Sequence, residues 1–508
     1  MKKPTIYALI ITVVVIGVWG GLDYFSKPET TLVNIDFCEE KVPSESKENS
    51  FVLHADGVDF KKVNDFGVES RLIAGSENYE FGIKRMDEIV VNYDKSPIIT
   101  LRLSAGRPDE QTHAHCIPDN IEPWTKVVEN IVERYDGDSD FGTLPIAEKT
   151  KQAILDKPIK YWQVENEPLW QLHHCPDGEE PTKFTKEELV NHLRTLSAAI
   201  KNQDSDANVI SGGLTGLVVL LLSDGYTTND FIEIGHTDCG YKKIYKSDIK
   251  NAAKEKLLEL ENFREKVKYF LVEGAPYYDV IDFHHYENEA LDIAAKFEWI
   301  NDVLKENNIR GKEIITLENA GPYFFFPLMG KSKPSHKEKC PMSGPDPERY
   351  FNDEILSSQL VKNHAIGFAS GVKKFAWSTL YPTLSWSDNY VRTALIEPDM
   401  KTKKPAFYTY KLMVDKLRDF TKAEKIQNNI YKFYFSDKSP VFVLWGEDEE
   451  AELDMKSYIK SDKALVTHII TRKTQIQLET KVVSSVSIPV DEIPIFVENY
   501  NCVESNVN

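Results

Sequence analysis

Three things are missing from this chain of 508 residues, and each closes off a class of function. No Gly-x-Gly-x-x-Gly or Walker-type loop follows any apolar run, so nothing marks a site for nucleotide phosphates. Basic residues are in deficit: 61 Lys and Arg against 80 Asp and Glu leave a formal charge of −19. A net field of that sign repels phosphate backbones, so no nucleic-acid partner is expected, although a locally basic cleft for a small anion is not forbidden. Internal repeats and low-complexity tracts are also absent. With 41% hydrophobic and 28% charged residues, the composition is globular and excludes disordered, collagen-like and multi-span membrane chains. At about 150 residues per domain, the length suggests roughly three domains. Aromatic residues reach 11%, with 8 Trp and 23 Tyr, which suits flat contact surfaces such as those for sugars and equally suits a large core.

The N-terminus resembles a targeting segment. Lys2 and Lys3 precede an apolar run from Ile6 to Trp19, extended by Gly20, Gly21 and Leu22. At about 17 residues it is near the lower limit for a membrane span and longer than most signal-peptide cores. No Ala-x-Ala cleavage signal follows. The lysines should stay in the cytoplasm, leaving everything after Tyr24 outside. Residues 1–30 are therefore expected to be a membrane anchor with a linker, or, if cleaved, a signal peptide releasing a secreted protein. Six cysteines, an even number, fit an oxidising compartment. Cys116 with Cys175 and Cys239 with Cys340 would join neighbouring loops, and Cys38 with Cys502 would tie the two ends, but the sequence leaves connectivity open. His113, His115 and Cys116, with His173, His174 and Cys175, offer an alternative zinc reading. Neither group has zinc-finger spacing, and disulfide-pinned loops account for them more simply.

From about residue 51 to 420, short apolar runs alternate with amphipathic helical patterns. Strands are predicted at Phe51–Gly57, Ser70–Ala74, Ile98–Leu103, Ile159–Val164, Asn208–Gly212, Val280–Phe283, Glu313–Leu317 and Lys374–Ser378. Helices are predicted at Phe81–Val91, Pro123–Tyr135, Lys186–Lys201, Ala290–Asn307, Asn352–Ser370 and Pro405–Phe420. An insertion from Ser223 to Pro276 carries its own helix, Lys250–Leu271. Eight such units predict an α/β fold, a (β/α)8 TIM barrel over residues 31–420; a doubly wound open sheet is the alternative. Beyond Phe420 the pattern turns to short alternating strands at Ile430–Phe435, Val441–Trp445, Ala464–Thr471, Thr474–Leu478 and Val482–Pro489. Residues 421–508 are expected to form a small all-β, sandwich-like C-terminal domain.

In such a barrel, reactive groups stand where strands end. The fourth strand ends in Val164-Glu165-Asn166-Glu167-Pro168 and the seventh in Leu317-Glu318-Asn319. Two carboxylates across one cleft are the minimum equipment for glycosidic bond cleavage, one as general acid and the other as nucleophile or base. Strand alternation puts Glu165 and Glu167 on the same side, so parity does not separate them.

The Tyr161-Trp162-Gln163-Val164-Glu165 run leading into Asn166-Glu167-Pro168 resembles the acid/base motif of clan A glycoside hydrolases, the retaining (β/α)8 enzymes. Glu318 after Ile-Ile-Thr-Leu is similar to that clan's nucleophile, and His284-His285-Tyr286 to its His-x-Tyr on strand six. The resemblance implies Glu167 as acid/base and Glu318 as nucleophile, with Asn166 bonding the sugar 2-hydroxyl. It further implies that Tyr286 bonds the nucleophile, that His284 lines the site (His285 if the strand bulges), that Trp377 forms the aromatic platform under the sugar and that Arg102 is a site arginine. The substrate would be an oligo- or polysaccharide, cleaved by a monomer without metal or organic cofactor. Trp170, Tyr323, Phe324, Phe325, Phe326, Tyr381, Trp386 and Tyr390 add aromatic surface in the long loops, for sugar stacking or for loop packing. A barrel that binds sugar without cleaving it, and a metal-dependent hydrolase, are the competing readings.

Overall fold

The computed structural model describes residues 49–500 except 55–65, 67, 76–78, 103–114, 118–119, 143, 175–180, 228–229, 237–239, 288–289, 321–351, 383–392, 448–450, 460, 475–477 and 486. The expected anchor, residues 1–30, and Cys38, Cys175, Cys239, Cys340 and Cys502 lie outside the described residues. No described helix is long and apolar enough to cross a membrane. Cys116 is engaged in a disulfide.

Eight parallel strands close a barrel, each beside its neighbour in sequence, with β1 joining β8 and β2. They are β1 (Ser50–His54), β2 (Glu69–Gly75), β3 (Ile98–Arg102), β4 (Tyr161–Val164), β5 (Asn208–Ile210), β6 (Val280–Asp282), β7 (Glu313–Asn319) and β8 (Lys374–Ser378). The main helices between them are α1 (Tyr79–Asn92), α2 (Glu122–Tyr135), α3 (Lys186–Gln203), α4 (Lys254–Glu273), α5 (Leu291–Glu306) and α6 (Asp353–Ser370), with α7 (Pro405–Leu417) after β8. Their ends follow local chemistry. Thr185 and Glu188 form a reciprocal capping box at the start of α3, Asn352 Oδ1 accepts from Ile355 N at α6, and Pro405 opens α7 without sacrificing a helical hydrogen bond.

Among the described residues, two helices of eight residues or more were not anticipated. Glu148–Asp156 is short, and Leu217–Asp224 is apolar all round and completely buried for most of its length, so it has no amphipathic period to detect. The insertion after β5 contains an antiparallel hairpin, Phe231–His236 with Gly240–Tyr245, and then α4.

Period-two alternation divides the barrel residues. Val52, Ile98, Ile210, Val280, Ile315, Leu317 and Ala376 form an inner apolar cluster. Phe51, Leu53, Ile99, Leu101, Trp162 and Phe375 point outward into the core shared with the helices. Above the inner floor, Thr100, Gln163 and Asp282 make a buried polar layer: Thr100 Oγ1 donates to Gln163 Oε1 (2.5 Å) and Gln163 Nε2 to Asp282 Oδ2 (2.5 Å). These three side chains thereby bond one another across strands.

After α7 the chain forms a six-stranded antiparallel sheet in the order β9-β10-β11-β14-β12-β13. Its strands are β9 (Lys422–Gln427), β10 (Ile430–Tyr434), β11 (Val441–Leu444), β12 (Lys463–His468), β13 (Thr480–Ser484) and β14 (Ile495–Asn499). Tyr431, Phe433, Val441 and Val443 share the barrel's helix-side core, while Ile430, Phe442 and Leu444 face a second cluster. A two-stranded ribbon, Ala451–Leu453 with Ile488–Val490, contributes residues to that outer face. The tail is thus one main sheet and a small covering ribbon. The strand expected at Thr474–Leu478 falls partly outside the described residues, and Val482–Pro489 divides between β13 and the ribbon.

Candidate active site

β4 ends at Val164, and there its alternation ends as well. Glu165 (φ 61°) and Glu167 (φ 50°) both adopt the left-handed conformation, which costs a non-glycine residue roughly 1–2 kcal/mol. The expectation that both glutamates share one side therefore fails. Glu165 is fully buried and meets His192 Nε2 of α3 at 3.2 Å, away from the barrel mouth. Glu167 Oε1 instead lies 2.9 Å from His284 Nδ1. Pro168–Gln171 follows as one helical turn, placing Gln171 four residues on, so that its Nε2 donates to Glu167 Oε2 (2.9 Å). Arg102 donates to Gln171 Oε1 (3.1 Å), so it approaches Glu167 through Gln171. Asn166, between the glutamates, is 3% exposed.

β7 brings its carboxylate inward by an irregularity. Thr316 pairs with Phe375 and Asn319 with Trp377, so three steps along β7 match two along β8: a β-bulge. Leu317 belongs to the inner cluster, whereas Asn319 Oδ1 accepts from Asn363 Nδ2 of α6 (3.0 Å) on the outside. Simple alternation after Leu317 would have turned Glu318 outward; the extra residue keeps it over the barrel. The Tyr286 hydroxyl donates to Glu318 Oε2.

β6 supplies the group between them. Val280, Asp282 and His284 follow one another on the inner side, while Ile281 and Phe283 point to the helix-side core. His284 Nε2 lies 3.2 Å from Asp282 Oδ2, and Nδ1 lies 2.9 Å from Glu167 Oε1 and 3.4 Å from Glu318 Oε2. A Glu167 oxygen, a His284 nitrogen and a Glu318 oxygen all fall within 4.8 Å of one another. Burial opposes charge on the fully enclosed His284, but Glu318, Asp282 and Glu167 outweigh it and the ring is pushed up to about 10. One imidazole and two carboxylates are a donor set that a divalent cation can use. Here both ring nitrogens face carboxyl oxygens, Asp282 on one side and the two glutamates on the other.

Two glycines after β5 make room. A Cβ on Gly212 would meet Pro168 Cδ at 2.3 Å, and one on Gly213 would meet His284 Nε2 at 1.9 Å. Behind the site, Lys296 of α5 is fully buried: it bonds Glu287 Oε2 (2.5 Å) and the His284 carbonyl (3.0 Å). Glu287 also accepts from Tyr286 N (3.0 Å) and lies 3.0 Å from His285 Nδ1. Burial disfavours its charge, yet Lys296 and His285 hold it well below the usual carboxylate range. His285 thus belongs to this rear cluster and His284 to the cleft. Asp282, Gln163, Gln171, Glu287 and Lys296 were not anticipated; the signal for Asp282 was its inward parity with His284.

Trp377 requires a correction. It is completely buried, stacks near His364 of α6 at 6.4 Å and donates to the Thr393 carbonyl (3.1 Å). With Phe375 it faces outward, whereas Ala376 belongs to the inner cluster, so it offers no open platform under a sugar. Tyr381 is 4% exposed and Trp170 packs on Phe263 at 4.8 Å, both as loop packing. Tyr323, Phe324, Phe325, Phe326, Trp386 and Tyr390 lie outside the described residues, as do His113 and Cys175 of the zinc reading. His173 Nδ1 meets the Gln171 carbonyl (2.8 Å) and His174 meets Glu188 (3.1 Å), and Cys116 is spent in its disulfide.

No known sequence family matches the chain, and no curated protein matches it by sequence. Solved structures do match in shape. A family 39 glycoside hydrolase from Bacteroides cellulosilyticus WH2 is 10% identical, with 89% of this chain and 81% of that one covered, at a TM-score of 0.50. A thermostable family 51 α-L-arabinofuranosidase from Thermotoga petrophila RKU-1 is 11% identical, with 90% and 97% covered, at 0.53. A monomeric β-xylosidase from Caulobacter crescentus CB15 is 9% identical, with 90% and 97% covered, at 0.50. Such coverage is too large for the barrel alone and takes in the β-tail. These neighbours fit the clan A glycoside hydrolase resemblance carried by the strand-end motifs, and at these identities what they establish is the fold: a (β/α)8 barrel with a C-terminal sheet, as in those glycoside hydrolases.

Proposed function

We propose that the protein is a retaining O-glycoside hydrolase acting on an oligo- or polysaccharide, with Glu167 as acid/base and Glu318 as nucleophile. The observation that carries this is the carboxylate spacing at the C-terminal ends of β4 and β7, where an oxygen of each lies within 4.8 Å of the other. Retaining enzymes hold the pair about 5–5.5 Å apart, whereas an inverting enzyme needs about 6.5–9.5 Å to lodge a water.

In the first step a Glu318 oxygen forms a bond to the anomeric carbon as the glycosidic C–O bond breaks, and Glu167 gives its proton to the departing oxygen. In the second, Glu167 takes a proton from water, the water oxygen bonds the anomeric carbon and the ester to Glu318 breaks. Tyr286 and His284 stabilise Glu318 as an anion before attack. Arg102 and Gln171 orient Glu167. Asn166 is the residue assigned to the sugar 2-hydroxyl. The structural neighbours named as an arabinofuranosidase and a xylosidase make pentosides the first substrates to try. Lys2, Lys3 and the apolar run after them support a location on the outer side of a membrane.

The test uses the full chain in detergent with a panel of aryl glycosides that includes arabinofuranosides and xylosides. Turnover is expected for at least one, lost in E318A and restored by azide as a glycosyl azide of inverted configuration. For E167A, azide should instead give the retained product. Equal activity of wild type and E318A would overturn the assignment, and turnover of no glycoside by the wild type would favour a barrel that only binds sugar.

A further inference from the structure

We propose, resting on the reading above, that Asp282 is a positioning residue: it holds the second proton of the His284 ring, so that Nδ1–H stands between Glu167 and Glu318 and serves whichever carboxylate bears the charge. Each ring nitrogen faces a carboxyl oxygen, and a ring with two protons donates on both sides at once. His284 Nε2 faces Asp282 Oδ2 at 3.2 Å, and Nδ1 faces Glu167 Oε1 at 2.9 Å and Glu318 Oε2 at 3.4 Å. A neutral imidazole would turn a lone pair toward a carboxylate on one side or the other. Asp282 is itself held in place, since Oδ2 also accepts from Gln163 Nε2 (2.5 Å) and Oδ1 from Leu317 N (2.8 Å). It is fully buried, and a protonated His284 is the cation that would balance its charge.

The charged and titratable groups around the ring are Glu167 from the end of β4, Glu318 from β7, and Asp282 and Tyr286 on its own segment; from α5, Lys296 bonds the His284 carbonyl as well as Glu287. The Gly213 backbone, after β5, closes the remaining side. The charge on the carboxylate pair changes place during the proposed reaction. Before attack Glu318 is the anion; once Glu318 is esterified, Glu167 has given up its proton and is the anion. A single N–H within reach of both follows that charge without moving a proton, while Asp282 prevents the ring from turning or discharging.

The test is the titration of His284 in the full chain in detergent, followed by the Cε1–H signal of 13C-labelled histidine and assigned with H284Q. The wild-type ring is expected to stay protonated from pH 6 to about 9 and the D282N ring to titrate near or below about 7. On any aryl glycoside turned over, D282N should lose about tenfold or more in kcat and its alkaline limb should move down by about one pH unit, with KM little changed. A His284 that is neutral at pH 7 in the wild type overturns the proposal, even if D282N does not fold. Identical titrations in wild type and D282N overturn it as well. Absence of any glycosidase activity would sink the functional reading alone, since the titration needs no substrate.

Discussion

The Cα of Gly213 lies so close to the His284 ring that an added methyl carbon would sit 1.9 Å from Nε2. The ring is therefore fixed from below by a missing side chain and from its edges by three carboxylates. Gly213→Ala should push His284 away from Asp282 and the glutamate pair. Turnover is expected to fall at least about a hundredfold, as displacements of about 1 Å do at reacting groups. Steady-state kinetics beside a far-ultraviolet spectrum will show whether activity falls while the barrel stays folded; full activity would mean the ring has room to spare.

The neighbouring glutamates should separate cleanly. Glu165→Gln weakens a buried pair with His192, costing about 1–3 kcal/mol of stability, and turnover per folded molecule should change only a few-fold. Glu167→Gln should do the reverse, with turnover lost and the unfolding midpoint nearly kept. Thermal melts and turnover on the same samples decide it, and the opposite pattern would make Glu165 the acid.

Lys296 and Glu287 should behave as one unit. Lys296→Met leaves Glu287 buried without its cation and is expected to cost about 3–5 kcal/mol. Adding Glu287→Gln should return much of that loss, because the stranded charge is gone. Urea unfolding of the two singles and the double measures the coupling; additive losses would show that the two groups act separately.

Stability should fall on both sides of a mildly acidic optimum. His284 is held about 10 in the folded state against an ordinary 6.5, so its contribution is complete below about pH 6.5 and lost as pH rises through 10. Glu287 is held well below its ordinary 4.5, so its contribution is present above that value and is lost on acidification. The urea midpoint should be lower at pH 9 than at pH 6, and His284→Gln should flatten that difference. Identical pH dependence in the wild type and His284→Gln would contradict the charged His284.

Much of the barrel was visible in the chain because each strand is a short apolar run ending on polar residues, and Glu167, Glu318, His284 and Tyr286 stand at such ends. Asp282 and Gln163 were not visible as partners: they lie 119 residues apart and meet only because the barrel turns both inward. Trp377 was misjudged although its neighbours held the answer, since Phe375 and Trp377 are large and outward while Ala376 and Ser378 are small. The shared side expected for Glu165 and Glu167 fails because two left-handed residues interrupt an alternation that sequence assumes to continue. In the tail, β9 was missed because Lys422–Gln427 is a largely charged strand at a sheet edge, a composition that protects edges and hides them from hydrophobic pattern.

The bulge in β7 means that two frames run along one strand. Up to Thr316 the hydrogen-bond frame and the side-chain frame march in phase with β8; beyond it they are one residue out of step until Asn319. Deleting a residue there would tidy the barrel and at the same time turn Glu318 toward α6, leaving a sounder cylinder with nothing to offer a substrate. The surplus residue is where this chain departs from the simplest barrel it could build, and an alignment that pairs strands by alternation alone will slip by one position at the very carboxylate it seeks.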